Sequence, residues 1–184
     1  MACLATKGRN VPCKDVVGGI ARVYISDFGT ISGLTLTNDE VTGCTASFTA
    51  FVYELKGGNS LEQAVTSSPE NGTTFFEQTL TLNLQKLYKE DHKELKLLAY
   101  GRPQIIVEDY NGNAFLCGRE HGMSVSGGTI ATGAAMGDMS GYTLTFSGQE
   151  VLPANFISGA VAGNPFADSS VFSGTVTTTA GTNS

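Results

Sequence analysis

The chain has 184 residues, 15% of them charged and 23 of them Gly, which suits one β-rich domain with a sizeable core rather than a disordered chain. Its formal net charge of −6 argues against binding nucleic acid by phosphate neutralisation, which needs a basic face. No apolar run approaches the roughly 20 residues of a membrane span, and Met1 to Lys14 carries Lys7, Arg9 and Lys14 without the apolar centre of a secretory leader.

Ala2 to Asp15 is polar and irregular and reads as an N-terminal arm. Ala21 to Asp27 (ARVYISD) is a β-branched and aromatic strand, punctuated by Gly18-Gly19 and Phe28-Gly29. Ile31 to Thr37 alternates Leu with Thr, and Asn38-Asp39 predicts a turn after it. Cys44 to Leu55 (CTASFTAFVYEL) is a second strong strand that ends covered on both faces. Lys56 to Gly72 is broken by Gly-Gly, Ser-Ser-Pro and Asn-Gly and reads as a long polar loop.

Thr73 to Leu84 has the cleanest strand alternation of the chain. Phe76, Gln78, Leu80, Leu82 and Leu84 fall on a core face, interrupted by Gln78, while Phe75, Glu77, Thr79, Thr81 and Asn83 fall on the other. Asp91-x-x-Glu94 is a candidate capping box for a helix running to about Tyr100, with Gly101 as the residue after its end and Pro103 blocking continuation. A start near Gln85 would put Lys86, Lys89, Lys93 and Lys96 on one face and Leu87, Tyr88, Leu95 and Leu98 on another.

Ile105 to Asp109 and Ala114 to Cys117 flank an Asn111-Gly112 hairpin turn. Ser126 to Gly141 is Gly-rich and reads as a flexible loop or a packed contact segment; Tyr142 to Phe146 (YTLTF) is another strand. Ser158 to Ser184 is rich in Gly, Ser, Thr and Ala and reads as an extended arm. Phe166 is its anchor, Val171 to Thr179 its possible strand, and another copy its possible partner; removing it should leave the core folded. The expected organisation is therefore an N-terminal arm over 1–20, a β domain over 21–157 and a C-terminal extension over 158–184.

No catalytic or metal-binding motif is legible. Cys3, Cys13, Cys44 and Cys117 lack ligand spacing and read as free thiols. His92 opens the charged helix, and His121 stands in CGREHG beside Arg119 and Glu120, where Cys117 is the one candidate nucleophile but shares no more than a strand face with it; these read as polar residues at a hairpin end. Adjacent acids such as Asp39-Glu40 and Glu108-Asp109 point to opposite faces of a strand and make poor acid–base pairs. Asn71-Gly72-Thr73 fits a glycosylation acceptor by chance. The expectation is a protein that is not an enzyme and takes no metal or cofactor.

The order of elements from Ala21 to Glu150, with a strand–helix–strand unit at its centre, resembles the tail-tube-type proteins of tailed bacteriophages. The segments MACLATKGRNVPCKDVVGGIARVYI, KLYKEDHKELKLLAYGRPQIIVEDYNGNAFLCG and SGYTLTFSGQEVLPANFI carry the resemblance. It implies a mainly β fold with one short helix, a β-sandwich or half-barrel with extended arms. It also implies hexameric rings stacked into a tube in the virion, built in the bacterial host cytoplasm. Its partners would be other copies of itself, other tail proteins and DNA passing without specific binding, with no membrane. On that reading Glu77, Thr79, Thr81 and Asn83 face the lumen, while Lys86, Lys89, Lys93, Lys96, Phe166 and Phe172 contact neighbouring subunits. The alternatives are another virion part (a tail ring or adaptor, a head–tail completion protein or a capsid decoration protein) and, less favoured, a receptor- or glycan-binding β-sandwich.

Overall fold

The β-branched run after Gly18-Gly19 forms β1 (Ile20–Ser26), the first of twelve strands in a computed structural model that describes residues 7–181. β2 (Leu34–Thr37), β3 (Glu40–Cys44), β4 (Phe48–Glu54), β5 (Ser60–Ser68) and β6 (Thr73–Gln85) precede the helix α1 (Lys89–Tyr100). After it come β7 (Gln104–Asp109), β8 (Ala114–Cys117), β9 (Ser124–Ala131), β10 (Gly141–Glu150), β11 (Asn155–Ile157) and β12 (Val176–Ala180). The fold is mainly β, in two sheets, with one short helix among the described residues. An eight-stranded sheet runs β12-β4-β1-β7-β8-β11-β3-β2, and a four-stranded sheet runs β5-β6-β10-β9.

Two cores explain why the central strands are apolar on both faces. Val23 and Ile25 of β1 and Ile105 and Val107 of β7 pack with Leu80, Leu82 and Phe146 of the smaller sheet, filling the space between the sheets. The intervening Tyr24 and Ile106 point the other way, into a second core with Val41, Phe48, Leu116 and Phe172. Gln78, the polar interruption of β6, is buried, and its Oε1 accepts the Gly118 N–H at 3.0 Å. It thus ties the small sheet to the turn after β8 instead of leaving a buried polar group unpaired. The Asn38-Asp39 turn forms as expected: both residues have positive φ (53° and 63°), the geometry a two-residue hairpin requires. The Asn111-Gly112 hairpin also forms, with Asp109 accepting the Asn111 and Asn113 N–H groups.

Several segments differ from the expectation. Lys56–Gly72 is not a loop: its middle is β5, paired antiparallel with β6 from Ser60↔Thr81 to Ser68↔Thr73. The start of Ser126–Gly141, up to Ala131, belongs to β9, paired with β10. The helix does not start at Asp91. It begins at Lys89 behind Tyr88, without a side-chain cap, and Lys86 at φ 70° blocks a start at Gln85. Asp91 lies half-buried in the first turn, and its carboxyl is pushed above the usual range by burial, then by Glu90 and Glu94. Gly101 is extended (φ −89°) rather than left-handed; its N–H donates to the Leu97 carbonyl at 3.0 Å. Pro103 ends the helix by excluding helical geometry at Arg102.

The largest correction concerns the C-terminal stretch. Phe172 and Val171 are buried in the second core, and Phe166 packs edge-to-face on Tyr24, Phe48 and Phe172 at centroid distances of 5.3, 5.7 and 5.1 Å. Within this chain Phe172 is buried and Phe166 half-buried, so both spend their rings on the chain's own core. The Cys44 N–H donates to the Val171 carbonyl and the Ser173 N–H to the Cys44 carbonyl, and β12 then pairs in parallel with β4. This segment therefore bonds to β3 and to β4, curling the large sheet toward closure. In this chain the expected strand pairs with β4, on the edge that β4 leaves open on the side away from β1.

Glu108 anchors the same segment. Only 2% exposed, it accepts the Tyr24 hydroxyl at 2.8 Å and the Gly163 N–H, and the Arg22 guanidinium lies 3.5 Å away. Burial, then the bond to Glu108, hold the Tyr24 hydroxyl protonated well above the usual tyrosine range. Glu108→Ala leaves the Tyr24 hydroxyl and the Gly163 N–H without their acceptor, while Arg22 keeps Glu54 at 3.4 Å. It should cost about 2–3 kcal/mol of folding stability, read by urea denaturation; a loss under about 1 kcal/mol, the size of an ordinary single hydrogen bond, would contradict this network.

Candidate assembly surface

The alternation of β6 turns Glu77, Thr79, Thr81 and Asn83 to one face of the small sheet, as expected, and all four are half-exposed. Register extends that face across the neighbouring strands. On β10, Gln149, Ser147, Thr145 and Thr143 stand opposite Glu77, Thr79, Thr81 and Asn83. On β5, Ala64, Glu62 and Ser60 stand opposite Glu77, Thr79 and Thr81. Thr129 of β9 stands opposite Thr143. Residues directly opposite one another share a face, so this is a broad surface of hydroxyls, amides and carboxylates. It is pinned locally by the Thr143 hydroxyl donating to Asn83 Oδ1 at 2.9 Å. None of the four strands contains Lys or Arg; their only charges are Glu62, Glu77 and Glu150.

The edges of this sheet are the feature the sequence reading missed. β5 and β9 each pair on one side only. They are nine and eight residues long and mostly exposed; neither contains Pro, and Glu62 is the one charge between them. Protein edges are usually blunted by Lys, Pro, short length or a covering element. Two long, nearly uncharged edges on one sheet are complementary templates for strand addition. The signal was present as the near absence of charge in Ser60–Ser68 and Ser124–Ala131, but only the topology makes these segments edges.

The helix lies on the opposite side of the small sheet from the polar face. The Tyr142 hydroxyl, on the core face, donates to the Tyr88 carbonyl at 3.2 Å, and Leu95 and Leu98 turn inward. Lys86, Lys89, Lys93 and Lys96 are all exposed, and no lysine forms an ion pair among the described residues. Lys86 lies over the Tyr88 ring, 4.5 Å from its centroid.

A groove of about 400 Å³ opens between the end of α1 and the ends of β1 and β4. Ile25, Phe51, Tyr53 and Leu97 give it apolar walls, and its charged lining residues are Asp27, Glu94 and Arg102. At the far end of β1 the N-terminal arm leaves the domain. There the Val17 N–H donates to Asn111 Oδ1 at 3.0 Å and Asn111 Nδ2 donates to the Val17 carbonyl at 2.8 Å. Residues 7–19 are exposed throughout, including Val11, Val16 and Val17. Cys3 lies outside the described residues.

Cys117 is fully buried, and burial, then the Glu150 charge, push its thiol up to about 12. A thiol held protonated to that degree is not a nucleophile at neutral pH, so its proximity to His121 makes no catalytic pair. No family model, curated protein or solved structure matches the chain.

Proposed function

We propose that the protein is a bacteriophage virion structural subunit that assembles into stacked hexameric rings forming a tail tube, through which DNA is delivered to the host. The observation that carries this reading is the four-stranded sheet with two open, nearly uncharged edges and a polar face free of Lys and Arg. β9 of one subunit adds to β5 of the next, so the small sheets join into a continuous closed wall and no edge is left. Hexameric rings are what the resemblance implies. Glu62, Glu77 and the threonines of the polar face then line the lumen, where an acidic surface lets the DNA phosphates pass without adhering. α1 and its lysines lie on the outside, where they meet other tail proteins.

Stacking has a matching device. The arm leaves one end of β1 and the groove lies at the other, about 23 Å away for seven residues at strand rise. Lys7, Arg9 and Lys14 on the arm meet a groove whose charged lining is Asp27 and Glu94 against the single basic Arg102. An arm that seats its exposed valines in the groove of the next subunit makes a head-to-tail contact, which repeats without limit. Deleting residues 1–15 should leave the thermal midpoint within about 2 °C of the full chain, since residues 7–15 are all exposed and Val17 keeps its two bonds to Asn111. It should reduce stacked assemblies to single rings in sedimentation velocity. Unchanged stack length would remove the arm from the contact, and loss of the rings themselves would place the arm in the ring instead.

A further inference from the structure

We propose that Glu120, His121 and Glu150 form a binding site for a divalent transition-metal ion of the zinc type. One ligand atom from each lies within 4.8 Å of the other two. Glu150 ends β10, whereas Glu120 and His121 sit in the turn between β8 and β9, so the ion would join the small sheet to the turn leaving the large one. The chain gives no local motif because His121 and Glu150 are 29 residues apart.

Three features make this more than a surface ion pair. Glu150 is only 4% exposed, and its Oε1 accepts the Glu120 and His121 backbone N–H groups at 3.0 and 2.9 Å. Those bonds orient the carboxylate and leave Oε2 facing the imidazole, the kind of outer support that metal ligands need. His121 Nδ1 lies 3.3 Å from Glu150 Oε2. That is long for a charge-assisted hydrogen bond, but it matches the ~3.3 Å edge of a tetrahedron whose ligands lie about 2.0–2.1 Å from zinc.

The turn is closely packed against the strand ends around it. Gly118 and Gly122 have φ of 63° and 78°, and a Cβ on Gly122 would come within 2.5 Å of the Arg102 carbonyl oxygen. Glu120 now pairs with Arg119 and would exchange that partner for the ion. Two carboxylates and one imidazole are a zinc donor set that leaves the fourth position to water. Glu120 and His121 are exposed, so an ion can enter from solvent. The Nδ1 atom must carry the lone pair, with the ring proton on Nε2.

The test is calorimetric titration of tag-free, full-length protein with Zn²⁺, paired with thermal melts with and without the ion. His121→Ala alters an exposed side chain. Glu150→Gln keeps an oxygen for the two backbone N–H groups. Wild type should bind one Zn²⁺ per chain and melt higher with it, and each variant should lose at least about tenfold in affinity. If Glu150→Gln fails to fold, His121→Ala decides alone. Absence of saturable binding by wild type overturns the site. So does His121→Ala binding with wild-type affinity, since the ion would then sit on the cysteines or elsewhere.

Discussion

Truncation after Ile157 should yield a chain that does not fold. The missing residues include the buried Val171 and Phe172, the Phe166 ring against Tyr24 and Phe48, the Gly163 N–H that satisfies Glu108, and the strand covering the edge of β4. Phe172→Ala alone should cost about 3–5 kcal/mol as a large-to-small core change. The whole stability of a domain is about 5–15 kcal/mol, so removing the segment exceeds what the rest can hold. Far-UV circular dichroism through a thermal melt reads this directly. A cooperative transition in the truncated protein at the full-length midpoint would mean the segment is an appendage after all.

Charging the β9 edge should abolish ring formation and spare the fold. Gly127 and Thr129 are exposed; a Cβ at Gly127 meets nothing within 4 Å and its φ is not positive. Gly127→Lys with Thr129→Lys should therefore change folding stability by no more than about 1 kcal/mol, as for other exposed substitutions. In the assembled wall the same lysines meet β5 of the next subunit at a strand junction. Lysine is the residue natural edges use against pairing. The only charge on β5 is Glu62, of opposite sign, so the loss comes from two long charged side chains crowding the strand junction rather than from charge repulsion, and should be at least tenfold in dissociation constant, about 1.4 kcal/mol. Sedimentation velocity should show monomers at concentrations where wild type forms rings. Rings of normal size from the double variant would place the subunit contact elsewhere.

The parts of the fold that were legible are those whose local pattern carries its own answer. β6 alternates because one face meets Val23 and Ile105 and the other meets solvent. The Asn38-Asp39 and Asn111-Gly112 turns announce themselves because few residues accept positive φ. β5 was hidden because Gln63, Ala64, Val65 and Thr66 are all exposed, so no apolar alternation marks an edge strand open on both faces. The C-terminal segment was hidden for another reason. Its Gly, Ser and Thr content suggests an arm, while its burial rests on Phe166, Val171 and Phe172 meeting residues more than a hundred positions earlier, such as Tyr24 and Cys44. The helix start was misjudged because Asp91 is half-buried beside Glu90 and Glu94, where burial opposes its charge and it makes no cap.

The candidate surface divides the same way. The polar face of Glu77, Thr79, Thr81 and Asn83 is visible from period two alone. That it extends over four strands, and that β5 and β9 are free edges, follows only from the strand order. The lysines of α1 are visible as a stripe, but their place on the side away from the polar face depends on Tyr142 and Leu95.

Negative-stain electron microscopy of the purified, concentrated wild-type protein should show rings with an open channel, stacked into tubes of indefinite length. A population that stays monomeric, or that closes into compact particles without a channel, would contradict assembly into a tail tube.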